Sequence, residues 1–283
     1  MEKIKVSVCI TSFNETKSDI DNLIKALKKQ SLKPDEIIVV DAKDYDNCSR
    51  SKGRNIAIKS SKNKIIAITD VGCIPHKHWL KNITKPFLNK KVDVVSGLYK
   101  MKYKNSLQKS MKIFLGIDKD IDNNFQPSAR SMAFTKSIWK KAGMFPEKLS
   151  NTAEDTLFNF NLLKIGAKFE VMQTAVVDWY LPKTFFEFFK KIYNYSKGDA
   201  QTKIWWHPIK KLKTHNIKIV TVYLRYIVFA ILAFINLKLF LICISIYFVY
   251  TTLKAGLYGF PLQIVSDFAV IIGFSHGLLQ SGI

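Results

Sequence analysis

The chain has 283 residues, 48% hydrophobic and 13% aromatic, with 44 Lys and Arg against 22 Asp and Glu and a formal net charge of +22. That apolar and aromatic content excludes a disordered basic tail and requires a sizeable buried core. The charge surplus points to an anionic partner: nucleic acid, anionic lipid or a phosphorylated substrate.

Met1-Glu-Lys-Ile-Lys-Val leads straight into a strand pattern without an apolar leader, and the four cysteines (Cys9, Cys48, Cys73, Cys243) make no C-x-x-C and no zinc spacing. A reduced, cytosol-facing compartment is expected. Continuous β-rich runs follow at Val6–Thr11, Glu36–Asp41, Lys64–Asp70 and Val92–Ser96. Runs apolar on both faces suit buried strands of a parallel sheet. Between the first two, Ile20, Leu23, Ile24 and Leu27 mark an amphipathic helix with Ser18 as expected N-cap, and Arg54–Ser60 reads as a second helix. The expected fold class is therefore α/β, a βαβ sheet with helices on both faces.

In such a sheet, ligands sit outside the carboxyl ends of the strands. The residues there are Thr11-Ser-Phe13-Asn14-Glu15, Asp41, and Asp70-Val-Gly-Cys73. Neither G-x-G-x-x-G nor G-x-x-x-x-G-K-[ST] is present, so a dinucleotide fingerprint and a P-loop are both excluded. A nucleotide held by strand-end carboxylates and a divalent metal stays open, because Mg2+ or Mn2+ needs only one or two carboxylates when phosphates complete its shell.

These residues resemble a family. VSVCITSFNE, IIVVDAK, KGRNIAI and IIAITDVGC are similar to the donor half of a family 2 glycosyltransferase of GT-A fold, in the branch whose metal motif reads T-D-x-G-C. PSARSMAFTKSIWKKAGMFPE, AEDTLFNFNLLKIGAKF and VVDWYLPKTFFEFFKKIYNYSKGDAQ continue the likeness, which covers about residues 4–205. The resemblance implies a donor site of Thr11, Phe13, Asn14, Glu15, Asp41, Arg54, Asn55 and Asp70. Within it Asp70 is the ligand of a divalent metal (Mn2+ or Mg2+), and Arg54 pairs with the diphosphate. The second acid of the usual D-x-D is Gly72 in this chain. Glu154 and Asp155 are the implied catalytic pair, with Asp155 as general base, and Arg130 and Trp179 lie on the acceptor side. Bland alternatives stand beside several of these. Asp41 and Asp70 suit strand-end turns, Asn14 and Glu15 can start a helix, and Thr152-Ala-Glu-Asp155 reads as a capping box opening a helix over Thr156–Gly166. His76, His78, His207 and His215 show no metal spacing.

All but three of the basic and one of the acidic side chains precede Ile219; beyond it stand only Arg225, Lys238, Lys254 and Asp267. Phe185–Ile192 is amphipathic and aromatic, followed by Lys197, Lys203, Trp205, Trp206, Lys210, Lys211 and Lys213. This reads as an interfacial stretch on an anionic membrane. Nucleic acid is the weaker explanation of the charge, because no nucleic-acid motif accompanies it. The tail splits into Ile219–Phe234, Leu239–Leu253 and Ile264–Leu279, each short against the ~20 residues of a spanning helix. Two or three thin spans or a re-entrant hairpin are all open.

The expected organisation is a GT-A body over 1–205, a basic linker over 206–218 and a hydrophobic helical anchor over 219–283. The body faces the cytoplasm. The expected activity is membrane-associated, inverting transfer from a nucleoside-diphosphate sugar to a hydroxyl of a lipid-linked or glycan acceptor. The alternatives are a processive polysaccharide synthase, disfavoured because no Q-x-x-R-W follows the acidic pair, and an inactive binding protein on the same scaffold.

Overall fold

Three of the four β-rich runs become one half of a seven-stranded sheet and the fourth falls in the other half, in a computed structural model that describes residues 4–89, 91–116, 127–149, 152–203 and 216–281. In chain order come β1 (Val6–Ser12), α1 (Lys17–Lys28), β2 (Glu36–Asp41), α2 (Arg50–Ser60), β3 (Ile65–Ile68), β4 (Cys73–Pro75), α3 (Trp79–Thr84), α4 (Pro86–Asn89) and β5 (Val94–Lys102). Then follow α5 (Ser106–Leu115), β6 (Met132–Thr135), α6 (Lys136–Lys141), α7 (Glu154–Lys164), β7 (Phe169–Tyr180), α8 (Phe185–Gln201), α9 (Asn216–Ile235), α10 (Leu237–Ala255) and α11 (Gly259–Ser281).

The sheet order is β2-β1-β3-β6-β5-β7-β4. β1 pairs in parallel with β2 and β3, as the continuous apolar runs require. The other half differs from the purely parallel expectation: β6 runs antiparallel to β3 and β5, and β4 antiparallel to β7. Against the sheet, Phe134, Phe145 and Phe158 form an aromatic core with Ile58 of α2 and Trp139 of α6.

Cap chemistry corrects three expected helix starts. Thr16, not Ser18, caps α1; its hydroxyl accepts from Asp19 N–H at 3.2 Å while the Asp19 carboxylate accepts from Thr16 N–H at 3.3 Å. α7 begins at Glu154 behind Ala153, which sits at φ 65° without a side-chain cap, so Thr152 does not form the expected capping box. α2 starts one turn before Arg54, capped by Ser49.

The chain divides into two compact units, Met1–Met101 with Asp120–Tyr180, and Lys102–Lys119 with Leu181–Ile283. The helices α5 and α8 thus group with the apolar tail, whereas a 1–205 body would have kept them with the sheet. In the second unit α8 lies along α11, and α9 and α10 join at Asn236, whose Oδ1 accepts from Leu239 N–H at 3.0 Å. Two of the tail helices, α9 and α11, begin ahead of their apolar runs, at Asn216-Ile-Lys and Gly259-Phe-Pro, and α10 extends its run by two residues at each end. Trp205, Trp206, His207, Lys210, Lys211, Lys213 and His215 lie outside the described residues.

Gly97 of β5 is where the sheet has no room for a side chain. A Cβ there would meet Ser131 Oγ at 2.0 Å and the Ala175 carbonyl oxygen at 2.4 Å. Gly97→Ala is expected to lower unfolding stability by about 1–3 kcal/mol, the usual cost of overpacking, read as a reduced denaturant midpoint. An unchanged midpoint would show that β5 and β7 can separate cheaply.

Candidate functional site

The parallel registers Ser12↔Asp41 and Cys9↔Ile68 bring the carboxyl ends of β2, β1 and β3 side by side. Beyond β3 the chain turns at Asp70–Cys73, closed by Cys73 N–H donating to the Asp70 carbonyl at 3.1 Å. Gly72 takes φ +89° in this turn, a conformation that glycine adopts without steric cost. A Cβ there would meet nothing within 4 Å, so the turn borders open space.

At the centre lies Arg54, 4% exposed. Its Nη1 donates to Glu154 Oε1 at 2.5 Å and its Nη2 to Asp70 Oδ1 at 2.6 Å. The first acid of α7 and the acid after β3 are therefore joined through one guanidinium. Arg54 does not open α2 as a solvated side chain, and its fork is already taken up by two carboxylates.

Asp155 is half-buried beside this pair. Its Oδ2 accepts from Ala129 N–H at 3.1 Å and its Oδ1 from Thr156 N–H at 2.8 Å. Burial, with the Glu154 charge second, pushes its carboxyl above the usual range, against the opposing pull of Arg54 and Arg130. For Asp70, burial acts in the same upward sense but is outweighed by Arg54, Arg50 and Arg130, so its carboxyl is held below the ordinary value. Arg54 itself is raised: burial works against its charge, and Asp70 and Glu154 more than restore it.

The other expected residues separate into two groups. Buried Thr11, with neighbouring Ser12 and Thr69, keeps a hydroxyl without a hydrogen-bond partner among the described residues. Glu15 folds the loop after β1, accepting from Phe13 N–H at 2.6 Å and Asn14 N–H at 3.1 Å while Arg50 holds its other oxygen at 2.7 Å. Asp41 accepts from Lys43 N–H at 3.1 Å, the turn role that was its alternative reading. Asn55 is engaged by the protein itself. Its amide donates to the Phe145 carbonyl and Glu147 Oε1, both at 2.8 Å, and accepts from Trp139 Nε1 and Phe145 N–H. All its hydrogen-bonding capacity goes into the core.

On the far side, Arg130 stands in the turn before β6 rather than in a strand. Its guanidinium carbon lies 4.3 Å from the Trp179 ring centroid and 4.9 Å from that of Tyr99. Trp179 is buried, and the Arg130 guanidinium lies over its ring. Tyr99 of this group, and Arg50, which pairs with Glu15 and lies over the Phe13 ring, were not singled out; Arg50 was legible as a cation at the opening of the helix that faces the strand ends. His76 pairs with Asp178 at 2.8 Å and His78 with Ser31 at 2.9 Å, away from these acids.

No family model and no curated protein matches the chain. Among solved structures it is similar to mannosyltransferase PcManGT from Pyrobaculum calidifontis in complex with GDP-Man and Mn2+, with a TM-score of 0.71 and 14% identity over 99% of this chain and 88% of that one. S. aureus TarS 1–349 in complex with UDP is similar at a TM-score of 0.47 and 19% identity, over 68% of this chain and 64% of that chain. The first likeness shows the fold: a mixed sheet with flanking helices, similar to that of a glycosyltransferase structure.

The opposite shifts of Asp155 and Asp70 have opposite consequences for stability. A carboxyl raised in the folded state binds its proton more tightly there, so Asp155 withholds stability above its folded value and returns it as pH falls. Asp70, lowered on folding, supplies stability above the unfolded value of about 3.9 and loses it as pH falls through the folded value. At pH 7, Asp155→Asn is expected to melt above wild type and Asp70→Asn below it, by about 2–4 °C per kcal/mol. The Asp155→Asn gap should close in acid. Thermal melts from pH 3 to 8 check this; a lower melting point for both variants would contradict the strained state of Asp155.

Proposed function

We propose that this chain is a membrane-associated, inverting glycosyltransferase that moves a sugar from a nucleoside-diphosphate donor to a hydroxyl of a lipid-linked or glycan acceptor. The observation that carries this reading is the acid cluster beyond the strand ends, where Arg54 ties Asp70 to Glu154 and leaves Asp155 beside them with an elevated carboxyl. The fold of the sugar-nucleotide-bound neighbour agrees with it. A general base is most effective when its pKa approaches the working pH, the direction in which Asp155 is pushed. Asp155 takes the acceptor hydroxyl proton as that oxygen bonds to the anomeric carbon and the nucleoside diphosphate departs. The buried hydroxyls of Thr11, Ser12 and Thr69 fit the donor side.

Among the described residues no three Asp, Glu, His or Cys side chains gather to hold a metal by themselves. Asp70 beside the open turn at Gly72 still fits the partial role of one carboxylate, with diphosphate and water completing the shell. A bound Mn2+ or Mg2+ would neutralise charge on the leaving diphosphate.

Two experiments test the reading. A thermal-shift panel of nucleoside-diphosphate sugars, with and without Mn2+, should show stabilisation by one donor. Asp155→Asn should keep that donor shift while turnover falls by about 10²–10⁴-fold, the usual contribution of a positioned base. Full turnover in Asp155→Asn would remove the assigned role.

The membrane part rests on α10 and α11, both long and apolar enough to cross a bilayer, and on exposed Phe234, Ile235, Leu253 and Leu257. The basic residues ahead of the tail favour a cytoplasmic catalytic body. The full chain should sediment with membranes and be released by detergent but not by high salt. Its appearance in the supernatant would overturn membrane association.

A further inference from the structure

Which helices enter lipid is a separate question, and its answer rests on the proposed membrane association. α11 is apolar and long, yet it is paired along its length with α8. The Phe185 and Tyr258 rings meet at one end with centroids 6.2 Å apart, the Tyr193 hydroxyl bonds to His276 further on, and the Gln201 and Gln280 amides bond at 2.7 Å towards the other end. The approach reaches the backbone: a Cβ on Gly273 would lie 2.4 Å from the Tyr193 carbonyl oxygen, and one on Gly277 would lie 2.4 Å from that of Lys197. α8 carries Glu187, Lys190, Lys191, Lys197 and Asp199, with Glu187 and Lys190 exposed. Charges of this number do not enter hydrocarbon, and a helix in backbone contact with α8 stays out with it. Of the large apolar residues that α11 leaves exposed, Phe268, Ile272, Leu278 and Leu279, all but the least exposed, Leu278, fall at i, i+4 and i+11 on one face, as in a helix lying in the headgroup boundary.

The α9–α10 hairpin is different. Phe229 packs on Phe240 across it, and beyond this contact Phe234 is 92% and Ile235 78% exposed. Lys238 and Lys254 bracket the uninterrupted apolar run Leu239–Leu253. At the base, Lys254 Nζ lies 5.6 Å from the Phe114 ring centroid on α5, a helix with Lys109 and Lys112 and no acid. Asp267 of α11, 1% exposed, pairs with Arg225 of α9 at 2.6 Å and accepts from the Tyr247 hydroxyl of α10 at 3.0 Å. The hairpin is thereby tied to α11.

We propose that only the α9–α10 hairpin enters the bilayer, and that α11 lies with α8 and α5 against the lipid headgroups on the side of the hairpin's base. Ser281 and Lys183 then share one side of the membrane. The test uses the full chain in sealed native vesicles, sedimented first and then labelled with a membrane-impermeant maleimide. Wild type, with Cys9, Cys48 and Cys73 buried and Cys243 of α10 half-buried, is labelled in parallel before and after detergent, and its signal is subtracted from each variant's. Ser281→Cys should label to the same extent as Lys183→Cys, and Asn236→Cys at least ten-fold less until detergent is added. A tag fused after the last residue and probed with antibody gives the same reading without a new cysteine. Shielding of Ser281→Cys while Lys183→Cys reacts would mean that α11 crosses, and free reaction of Asn236→Cys would mean that the hairpin does not insert. Either overturns the proposal with membrane association intact. A chain that fails to sediment overturns both.

Discussion

The candidate site depends on the buried guanidinium of Arg54, which joins two acids lying 16 and 100 residues away in sequence. Without that charge, Asp70, Glu154 and Asp155 would be three carboxylates sharing a poorly solvated space. Deleting one partner of a buried ion pair typically costs about 3–5 kcal/mol, because the remaining charge stays uncompensated. The neighbours of Arg54 fix where it can reach. Gly53 lies so close to Thr11 that a Cβ would meet its methyl carbon at 2.4 Å. Asn55 binds Phe145, Glu147 and Trp139. Three consecutive residues of α2 thus address β1, the acid cluster and the loop behind it.

From that placement follows an unequal division of charge. Asp70 is covered by cations and stays ionised, as suits a group that meets a metal or stays paired. Asp155 has Glu154 as its immediate neighbour and keeps less of the benefit of Arg54, so it holds a proton more readily than an ordinary aspartate. The helix N-terminus alone would favour ionisation of Asp155; burial and the adjacent acid prevail over it. Pairs of carboxylates driven apart in this way are a common basis for distinct acid and base roles. Arg130, spread over Trp179 and Tyr99, supplies a further positive charge that acts on both acids.

The parallel half of the sheet and its strand-end acids were legible because β1 and β2 are uninterrupted apolar runs, and such runs have one structural solution in an α/β layer. The direction of the other half was not: Val92–Ser96 reads as a strand and falls on β5, but nothing in the run marks it as antiparallel to its neighbour. β6 has only four residues and β4 three, too short for a period to declare itself. Helix starts were misplaced by up to one turn because several hydroxyls stood near each start, and only backbone geometry decides which one reaches the third amide. The partners of Asn55 were hidden for a related reason. An asparagine next to a functional arginine offers the same polar atoms whether it faces a ligand or the core. Its partners Phe145 and Glu147 are 90 and 92 residues away.

The tail illustrates a different limit of composition. Hydropathy measures what a helix would lose by facing water, and it does not distinguish lipid from a neighbouring helix as the alternative. α10 and α11 are equal on that measure, but glycine lets α11 approach α8 closely, and glycine contributes little to hydropathy. The charges that decide the matter sit on α8, outside the apolar helix itself. A polar centre at Asp267 with Arg225 and Tyr247 then joins all three tail helices at one level. Breaking that pair would leave a charge without compensation next to apolar surface. The same rule governs both units: a buried ion pair fixes which elements meet, and the apolar surface around it decides what the assembled face can contact.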